Sequence, residues 1–255
     1  LIFFIAISAI FSCTVVKKYK PGEPFIYENT IKIKGNIKKE KETDLKENLL
    51  KQIEDSVLVN AVSKLPWPKF PWIIPVPVID KPLRYDSVAI RQSVSNMKNL
   101  MSSLGYKSSV ITVDSSLKIK KKQQRIKVNY TIEAGRLFLI DSIAYNFGDS
   151  LLQTLAMVTR DESLLKKGDP FEVNMIDNEL TRLVNVFQNN GFSRFSRENI
   201  IALADSSYFE LIDPTLDPFE YIQKLSEANE QKKNPLVDVY FMLNTIRDSS
   251  SLKQY

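Results

Sequence analysis

The sequence predicts an α+β protein of two tandem β-α-α-β-β domains, each with a three-stranded mixed sheet and two helices on one face. Two observations support this prediction: a pair of helical stretches that repeat one apolar pattern, and strands with period-two alternation on both sides of them. The 255 residues of the chain are enough for two small domains.

The repeat is clearest in the stretches AIRQSVSNMKNLMSSLGY and MIDNELTRLVNVFQNNGF. An offset of 86 residues maps four apolar positions and a glycine of the first stretch onto those of the second. The matched positions are Ile90, Val94, Met97, Met101 and Gly105, and Ile176, Leu180, Leu183, Phe187 and Gly191. This spacing predicts one buried face on each helix, and each glycine predicts a left-handed residue after the helix end.

Shorter helices and alternating strands complete each predicted domain. The apolar faces of the shorter helices are Leu45, Leu49 and Ile53 in the first domain, and Leu151, Leu155 and Val158 in the second. The opening strands place Ile31 and Ile33, and then Leu137, Leu139, Ile143, Tyr145 and Phe147, on their buried sides. The last strands bury Ile126, Val128, Tyr130 and Ile132, and Val237, Val239, Phe241 and Leu243.

Composition excludes several kinds of catalytic site. The chain has no histidine and a single cysteine, which removes Ser-His-Asp catalysis, histidine-based zinc sites and an internal disulfide. Its seven glycines form no phosphate-binding loop. Carboxylate or lysine chemistry stays open, but no pair of residues stands out. We therefore expect a protein that is not an enzyme and that needs no metal and no cofactor.

Positive charge is concentrated in the first half of the chain. Residues 1–135 carry a net charge of +11, whereas residues 136–255 carry −6. The lysines from Lys118 to Lys122 lie at a predicted hairpin turn without aromatic neighbours, so we interpret them as a solvated face and expect no nucleic-acid partner.

Six of the twelve prolines lie in an insertion, LPWPKFPWIIPVPVIDKP, at residues 65–82 of the first domain. This proline density predicts neither a helix nor a central strand. Two interpretations of Trp67, Phe70 and Trp72 remain: packing against their own domain, or contact with a partner or the membrane interface. A second insertion, at about residues 212–234, predicts an exposed acidic helix.

The first thirteen residues, LIFFIAISAIFSC, combine an apolar run too short to span a bilayer with the single cysteine, Cys13. Ile10 lies three positions before Cys13, and the small residue Ser12 lies directly before it. This spacing resembles a bacterial lipobox, in which Cys13 would be lipidated after signal cleavage. The alternative is a buried or amphipathic segment with a chance cysteine. Lys17, Lys18 and Lys20 would lie at headgroup level behind the anchor.

Both repeated units, the junction TIEAGRLFLIDSI and the stretch GDPFEVNMIDNELTRLVNVFQNNGF resemble POTRA domains. Together with the lipobox, they are similar to the POTRA region of the BamA/TamA family of outer-membrane assembly proteins, in its lipoprotein form, TamL. The resemblance implies an outer-membrane localisation on the periplasmic face. It also implies a C-terminal β-barrel after Tyr255, outer-membrane protein clients and a TamB-like partner tethered to the inner membrane.

By analogy with POTRA sheets, clients would add as strands to the penultimate strand of each domain, at residues 109–113 and 199–204. The candidate contact residues are Val110 and Thr112 in the first domain, and Ile200 and Ala202 in the second. Two alternatives of another class remain: an interaction scaffold with an inner-membrane signal anchor, as in division proteins, or a periplasmic lipoprotein without a barrel.

The predicted boundaries follow from these assignments. They are a signal peptide and lipobox at 1–13, a linker at 14–25, a first domain at 26–134 and a second domain at 135–247.

Overall fold

The computed structural model describes residues 15–35, 37, 39–64, 76–120, 122–205 and 235–244. The chain divides into two compact units. The first consists of Leu1–Leu100 and Val110–Glu133, and the second of Met101–Ser109 and Ala134–Tyr255. The N-terminal apolar segment with Cys13, the aromatic insertion with Trp67, Phe70 and Trp72, and the insertion at 212–234 lie outside the described residues.

The helices and strands follow the predicted order. The first part of the chain contains β1 (Val15–Val16), β2 (Pro24–Lys34), α1 (Lys39–Leu50), β3 (Val62–Lys64), β4 (Val76–Ile79), β5 (Leu83–Arg84), α2 (Ser87–Ser103), β6 (Val110–Lys120) and β7 (Gln123–Glu133). The second part contains β8 (Leu139–Asn146), α3 (Ser150–Val158), α4 (Val173–Asn189), β9 (Ile200–Asp205) and β10 (Leu236–Leu243). Two 3₁₀ turns, Arg160–Glu162 and Arg197–Asn199, precede α4 and β9.

Both main sheets are mixed, so the predicted fold class is confirmed. In the first unit the strand order is β5-β2-β7-β6, with β2 parallel to β7 and β6 antiparallel to β7. In the second unit the order is β8-β10-β9, with β8 parallel to β10 and β9 antiparallel to β10. The first sheet exceeds the predicted three strands by the two-residue β5, which pairs with Phe25 and Ile26.

One face of each sheet is buried as predicted. On β7 the alternating residues Ile126, Val128, Tyr130 and Ile132 are buried. On β10 the corresponding residues are Val237, Val239 and Phe241. The predicted face of α4 is buried throughout, whereas Val94 on α2 is only half-buried and the polar Ser93 beside it is fully buried.

The two long helices end in the same way. Gly105 and Gly191 have φ of 90° and 102°, in the left-handed region that favours glycine. The backbone N–H groups of the aromatic residues that follow, Tyr106 and Phe192, donate to carbonyls five residues earlier, at 2.9 and 3.1 Å. These are the bonds of a Schellman motif, as the sequence predicted.

The predicted face of the short helix α3 is wrong at Leu151 and Val158, whereas the third predicted residue, Leu155, is half-buried against the core. Leu151 and Val158 are 50% and 76% exposed, while Leu152 and Ala156 lie in the core. The helix begins after Asp149, whose side chain caps it by accepting from the N–H groups of Leu151 and Leu152.

A bulge overturns part of the predicted pattern of β8. Leu137 and Leu139 were expected to face the core, but Phe138 and Ile140 are the buried residues there. Val237 pairs with Ile140, and the next residue of β10 pairs with Ser142, so Asp141 is an extra residue in β8. The extra residue reverses the alternation, and the predicted residues Tyr145 and Phe147 are buried after it.

The prediction that the proline-rich insertion forms no central strand is also wrong. The described end of the insertion forms β4, which lies in the middle of a small sheet of order β1-β4-β3. Pro77 is tolerated there because β1 pairs only with Val78 and Ile79, which leaves β3 as the neighbour of Pro77. The predicted linker at 14–25 therefore contains β1 and the first residues of β2.

Candidate functional site

The penultimate strands, β6 and β9, each lie at the edge of a described sheet. Val110 and Thr112 lie in β6, and Ile200 and Ala202 lie in β9. An edge strand presents backbone N–H and C=O groups along the side that has no neighbouring strand. These two edges form the candidate binding sites of the chain.

The register of β6 shows which backbone groups point outward. Only two residues separate Lys120 from its partner Gln123, so this closing pair exchanges both of its backbone hydrogen bonds with the opposite strand. Alternation then directs the backbone groups of Val110 and Thr112 toward β7. The outward groups of this predicted site therefore belong to the residues next to them, Ile111 and Val113.

The two halves of β6 differ in chemistry. The first half, Val110 to Val113, is apolar apart from Thr112 and forms a short stretch suited to backbone pairing. The second half carries Lys118 and Lys120, and lysines on an edge strand oppose pairing with another chain. The first half is therefore the better candidate for strand addition.

In β9 the outward groups belong to the predicted residues. The N–H of Asn244 donates to the carbonyl of Asn199 at 2.9 Å, which makes Ile200 and its partner Leu243 a pair that is not hydrogen-bonded. The backbone groups of Ile200, Ala202 and Ala204 therefore point away from β10.

One of these outward groups is already bound. The Arg197 guanidinium donates to the carbonyl of Ile200 at 2.9 Å and to the Asp177 carboxylate at 3.0 Å. Within the described residues, Ala202 and Ala204 keep their outward N–H and C=O groups without a backbone partner. Their small side chains leave room for an incoming chain, so these two residues form the centre of the second site.

The opposite edge of the second sheet is shielded. The loop Gly168–Phe171 lies along the start of β8, where Gly168 N–H donates to Ile140 O at 2.7 Å and Ile140 N–H donates to Asp169 O at 2.9 Å. Further along, the Gln153 side chain accepts from Phe147 N–H at 3.1 Å and donates to Tyr145 O at 2.8 Å. Backbone and side-chain groups thus occupy most of this edge.

In the first unit the strand that corresponds to β8 is β2, and a shorter part of it is covered. Among the described strands, β5 pairs with Phe25 and Ile26 only, and no strand lies beside the rest of β2. The solvent face of β2 carries charge pairs, including Lys127 Nζ to Glu28 Oε1 at 2.8 Å.

A cleft of about 360 Å³ lies beside the part of β8 between the two shielded stretches. Charged side chains flank it, among them Arg160, Lys166 and the ion pair between Lys167 and Asp141 at 2.8 Å. Tyr145, Ile143 and Leu165 contribute its apolar surface. The cleft is a groove on the surface of the second unit with a mainly apolar lining and charged side chains around it.

A buried carboxylate behind this cleft is fully used in holding the fold. Glu179 on α4 accepts from Tyr145 Oη at 3.1 Å, Leu164 N at 2.9 Å, and the Arg182 guanidinium at 2.6 and 3.0 Å. Burial raises the pKa of Glu179, but the hydrogen bonds from Arg182 and Leu164 outweigh it, so the pKa lies below its usual value. Both carboxylate oxygens accept two hydrogen bonds, which gives Glu179 a structural role.

This network was not predicted from the sequence. The signal was the spacing Glu179-x-x-Arg182 on a helix, with the carboxylate directly before the buried Leu180. A charged pair three residues apart, beside an apolar helix face, indicates a buried ion pair when the neighbouring loop can supply further donors.

Two further observations concern the described residues only. They include no cluster of three or more histidine, cysteine, aspartate or glutamate side chains placed to hold a metal ion. No helix among them combines the length and the apolar character needed to span a bilayer.

No protein-family profile matches the chain, and no curated protein is similar to it in sequence. Among solved structures, it is similar to POTRA domains 3–5 of BamA from Haemophilus influenzae, at 14% identity and a TM-score of 0.35, over 89% of this chain and 69% of that one. It is also similar to POTRA domains 1–2 of the periplasmic domain of Omp85 from Anabaena, at 11% identity and a TM-score of 0.33, over 86% and 96%.

A third similar structure is CdiB from Acinetobacter baumannii, at 12% identity and a TM-score of 0.32, over 95% of this chain and 36% of that one. The chain thus spans about a third of the length of CdiB. All of these likenesses are loose, and the fold class rests on the strand order and element order described above.

Proposed function

We propose that this chain is the periplasmic, POTRA-bearing part of an outer-membrane protein assembly or translocation factor, and that it binds clients by strand addition. One observation carries the proposal. Both β-α-α-β-β units leave the penultimate strand at an edge of the sheet, with outward backbone groups at Ile111 and Val113 in β6, and at Ala202 and Ala204 in β9.

Strand addition suits a factor that handles many different clients. Pairing through backbone N–H and C=O groups depends little on the client sequence, whereas the flanking side chains set preferences. An outer-membrane protein that has not yet folded presents extended segments that need such partners. This activity uses protein contacts alone, so we infer a binding protein that is not an enzyme.

The finer parts of the proposal rest on the sequence resemblance. Lipidation of Cys13 would hold the two units at the periplasmic face of the outer membrane, as in the TamL form of the family, and a β-barrel would follow Tyr255. A TamB-like protein would be the partner, and Trp67, Phe70 and Trp72 would contact that partner or the membrane. One acyl chain binds a membrane only weakly, so the anchor needs several chains.

The test uses the full 255-residue chain and a urea-unfolded porin as the client probe. Ala202→Pro removes one outward N–H group that pairs with no described strand, whereas Ala202→Val keeps that N–H and adds side-chain volume. Loss of one or two backbone bonds to the client is worth about 1–2 kcal/mol, so we expect the proline variant to bind about 5- to 30-fold more weakly.

Circular dichroism and thermal unfolding show whether both variants keep the fold. If the folded proline and valine variants bind the porin equally well, strand addition at β9 is wrong. At the edge of β6, Val113→Pro removes an outward N–H group and Val113→Ala keeps it, so this pair of substitutions tests that edge independently.

A further inference from the structure

The lysine-bearing half of β6 exposes two aliphatic side chains. Leu117 and Ile119 are 55% and 73% exposed, although their cross-strand partners, Ile126 and Gln124, are buried or half-buried. Residues two apart on a strand share one face, so these two side chains lie side by side on the face that the helices cover elsewhere. Together they form an apolar ridge at the hairpin end of the sheet.

Lysines lie on the other face of the same half of β6 and at the adjoining turn. Lys118 and Lys120 alternate with the aliphatic residues on the opposite face of β6, and Lys122 follows at the turn with φ of 64°. All three are exposed. The sequence contains no acidic residue between Asp114 and Glu133, so this end of the hairpin carries a strong local positive charge.

We propose that the end of the β6–β7 hairpin is a peripheral binding site for an anionic phospholipid surface. Leu117 and Ile119 would enter the interface between headgroups and acyl chains, and the flexible lysine stems would place their ammonium groups at the phosphates. Lysine suits this surface because its compact charge attracts many phosphates without requiring a fixed geometry.

Protection of the edge strand explains only part of this arrangement. Lysines on an edge prevent pairing with other chains, which accounts for Lys118 and Lys120. Edge protection gains nothing from two aliphatic side chains exposed beside them, because such side chains favour association. A membrane interface, with apolar acyl chains beneath anionic headgroups, accounts for both the exposed aliphatic side chains and the lysines.

This site is distinct from the strand-addition sites. It uses side chains of the second half of β6, whereas the proposed client site uses the backbone of the first half and of β9. Either proposal can therefore fail without the other.

The experiment is co-sedimentation of the full chain with phosphatidylglycerol–phosphatidylcholine vesicles and with pure phosphatidylcholine vesicles. The double variant Lys118→Glu/Lys120→Glu removes two cations from the site, and Ile119→Ser removes apolar surface. The matched control, Lys46→Glu/Lys51→Glu, makes the same change in net charge at two exposed residues, Lys46 in α1 and Lys51 directly after the helix end.

Each lysine near an anionic surface contributes about fivefold to the partition coefficient. We therefore expect the hairpin double variant to lower partitioning into anionic vesicles by at least about 25-fold, and the α1 control to lower it much less. Ile119→Ser should also weaken binding to anionic vesicles while circular dichroism shows an unchanged fold.

Three results would overturn the proposal. The first is an equal loss for the hairpin and α1 variants, which would indicate attraction to overall charge. The second is equal binding of the unmodified chain to anionic and to zwitterionic vesicles. The third is anionic-vesicle binding that none of the hairpin variants changes.

Discussion

The two units use the same position on their second helix to fix the loop between the helices, but with different chemistry. In the second unit, Glu179 accepts from the N–H of Leu164 and pairs with Arg182. The residue 86 positions earlier is Ser93, which is also fully buried and accepts from the N–H of Glu54 at 3.0 Å. A neutral hydroxyl and an ionised carboxylate thus occupy equivalent places.

The difference extends one turn along each helix. In the second unit Arg182 Nη1 lies 4.0 Å from Glu162 Oε2. In the first unit Asn96 Nδ2 donates to Glu54 Oε1 at 3.0 Å. The shared feature is therefore a bond from the helix to the inter-helix loop, and the residue type at this position is variable. The second unit therefore depends on buried charge for a contact that the first unit makes without it.

Removing the carboxylate should have the largest effect. Glu179→Ala leaves the Arg182 guanidinium in a largely buried site without its partner, which we expect to cost about 3–5 kcal/mol of unfolding free energy. Ser93→Ala removes one neutral acceptor and should cost about 1–3 kcal/mol. Urea denaturation, with hydrogen exchange followed by mass spectrometry to separate the two units, measures both losses.

The same two variants show which result would contradict the prediction of a larger loss for Glu179→Ala. Equal losses for Glu179→Ala and Ser93→Ala would mean that the two networks contribute alike and that buried charge adds nothing.

The next largest expected effect is a loss of stability at low pH that distinguishes the second unit from the first. The folded-state pKa of Glu179 is below its unfolded value, so the unfolded chain binds the proton first as the pH falls. The stabilisation is fully present above about pH 4.3, the ordinary glutamate value, and is lost as the pH falls through the folded pKa. Hydrogen exchange between pH 3 and 7 should therefore show the core of α4 losing protection at low pH.

Glu179→Gln is the control for the acid experiment, because the amide cannot titrate at that position. If this variant keeps the same loss of α4 protection between pH 3 and 7, another carboxylate is responsible.

The smallest expected effect concerns the shielded edge of β8. Gln153→Ala removes the donor to Tyr145 O and the acceptor of Phe147 N–H, and should lower the unfolding free energy by about 1–2 kcal/mol. Gln153→Glu keeps the acceptor but loses the donor, so about half of that loss is expected. Denaturant titration measures both, and an alanine variant as stable as the unmodified protein would mean that this shield contributes no stability.

The elements that depend on periodicity could be predicted from the sequence. The buried face of α4, the left-handed glycines after the long helices and the alternation on β7 and β10 all follow from local patterns, and the structure contains them. The placement of β6 and β9 at sheet edges was expected from the resemblance to POTRA sheets, and the strand order agrees with it.

Features set by single local events could not be predicted in the same way. The bulge at Asp141 reverses the face of β8, and nothing in the residue pattern shows where an extra residue enters a strand. In α3 the equally apolar neighbour Leu152 faces the core in place of Leu151, and the apolar pattern alone does not distinguish the two residues. The outward backbone groups of each edge depend on pairing register, which a strand pattern alone leaves open.

The bulges in the two opening strands have a consequence for binding. Tyr27 is an extra residue in β2, as Asp141 is in β8, whereas the ladders of β6 and β9 run without a shift. An incoming chain pairs with a fixed repeat of two residues, and an inserted residue puts the two sides of a bulge out of phase for it. An incoming strand could therefore pair with the opening strands only over short segments, whereas the penultimate strands keep one register along their length.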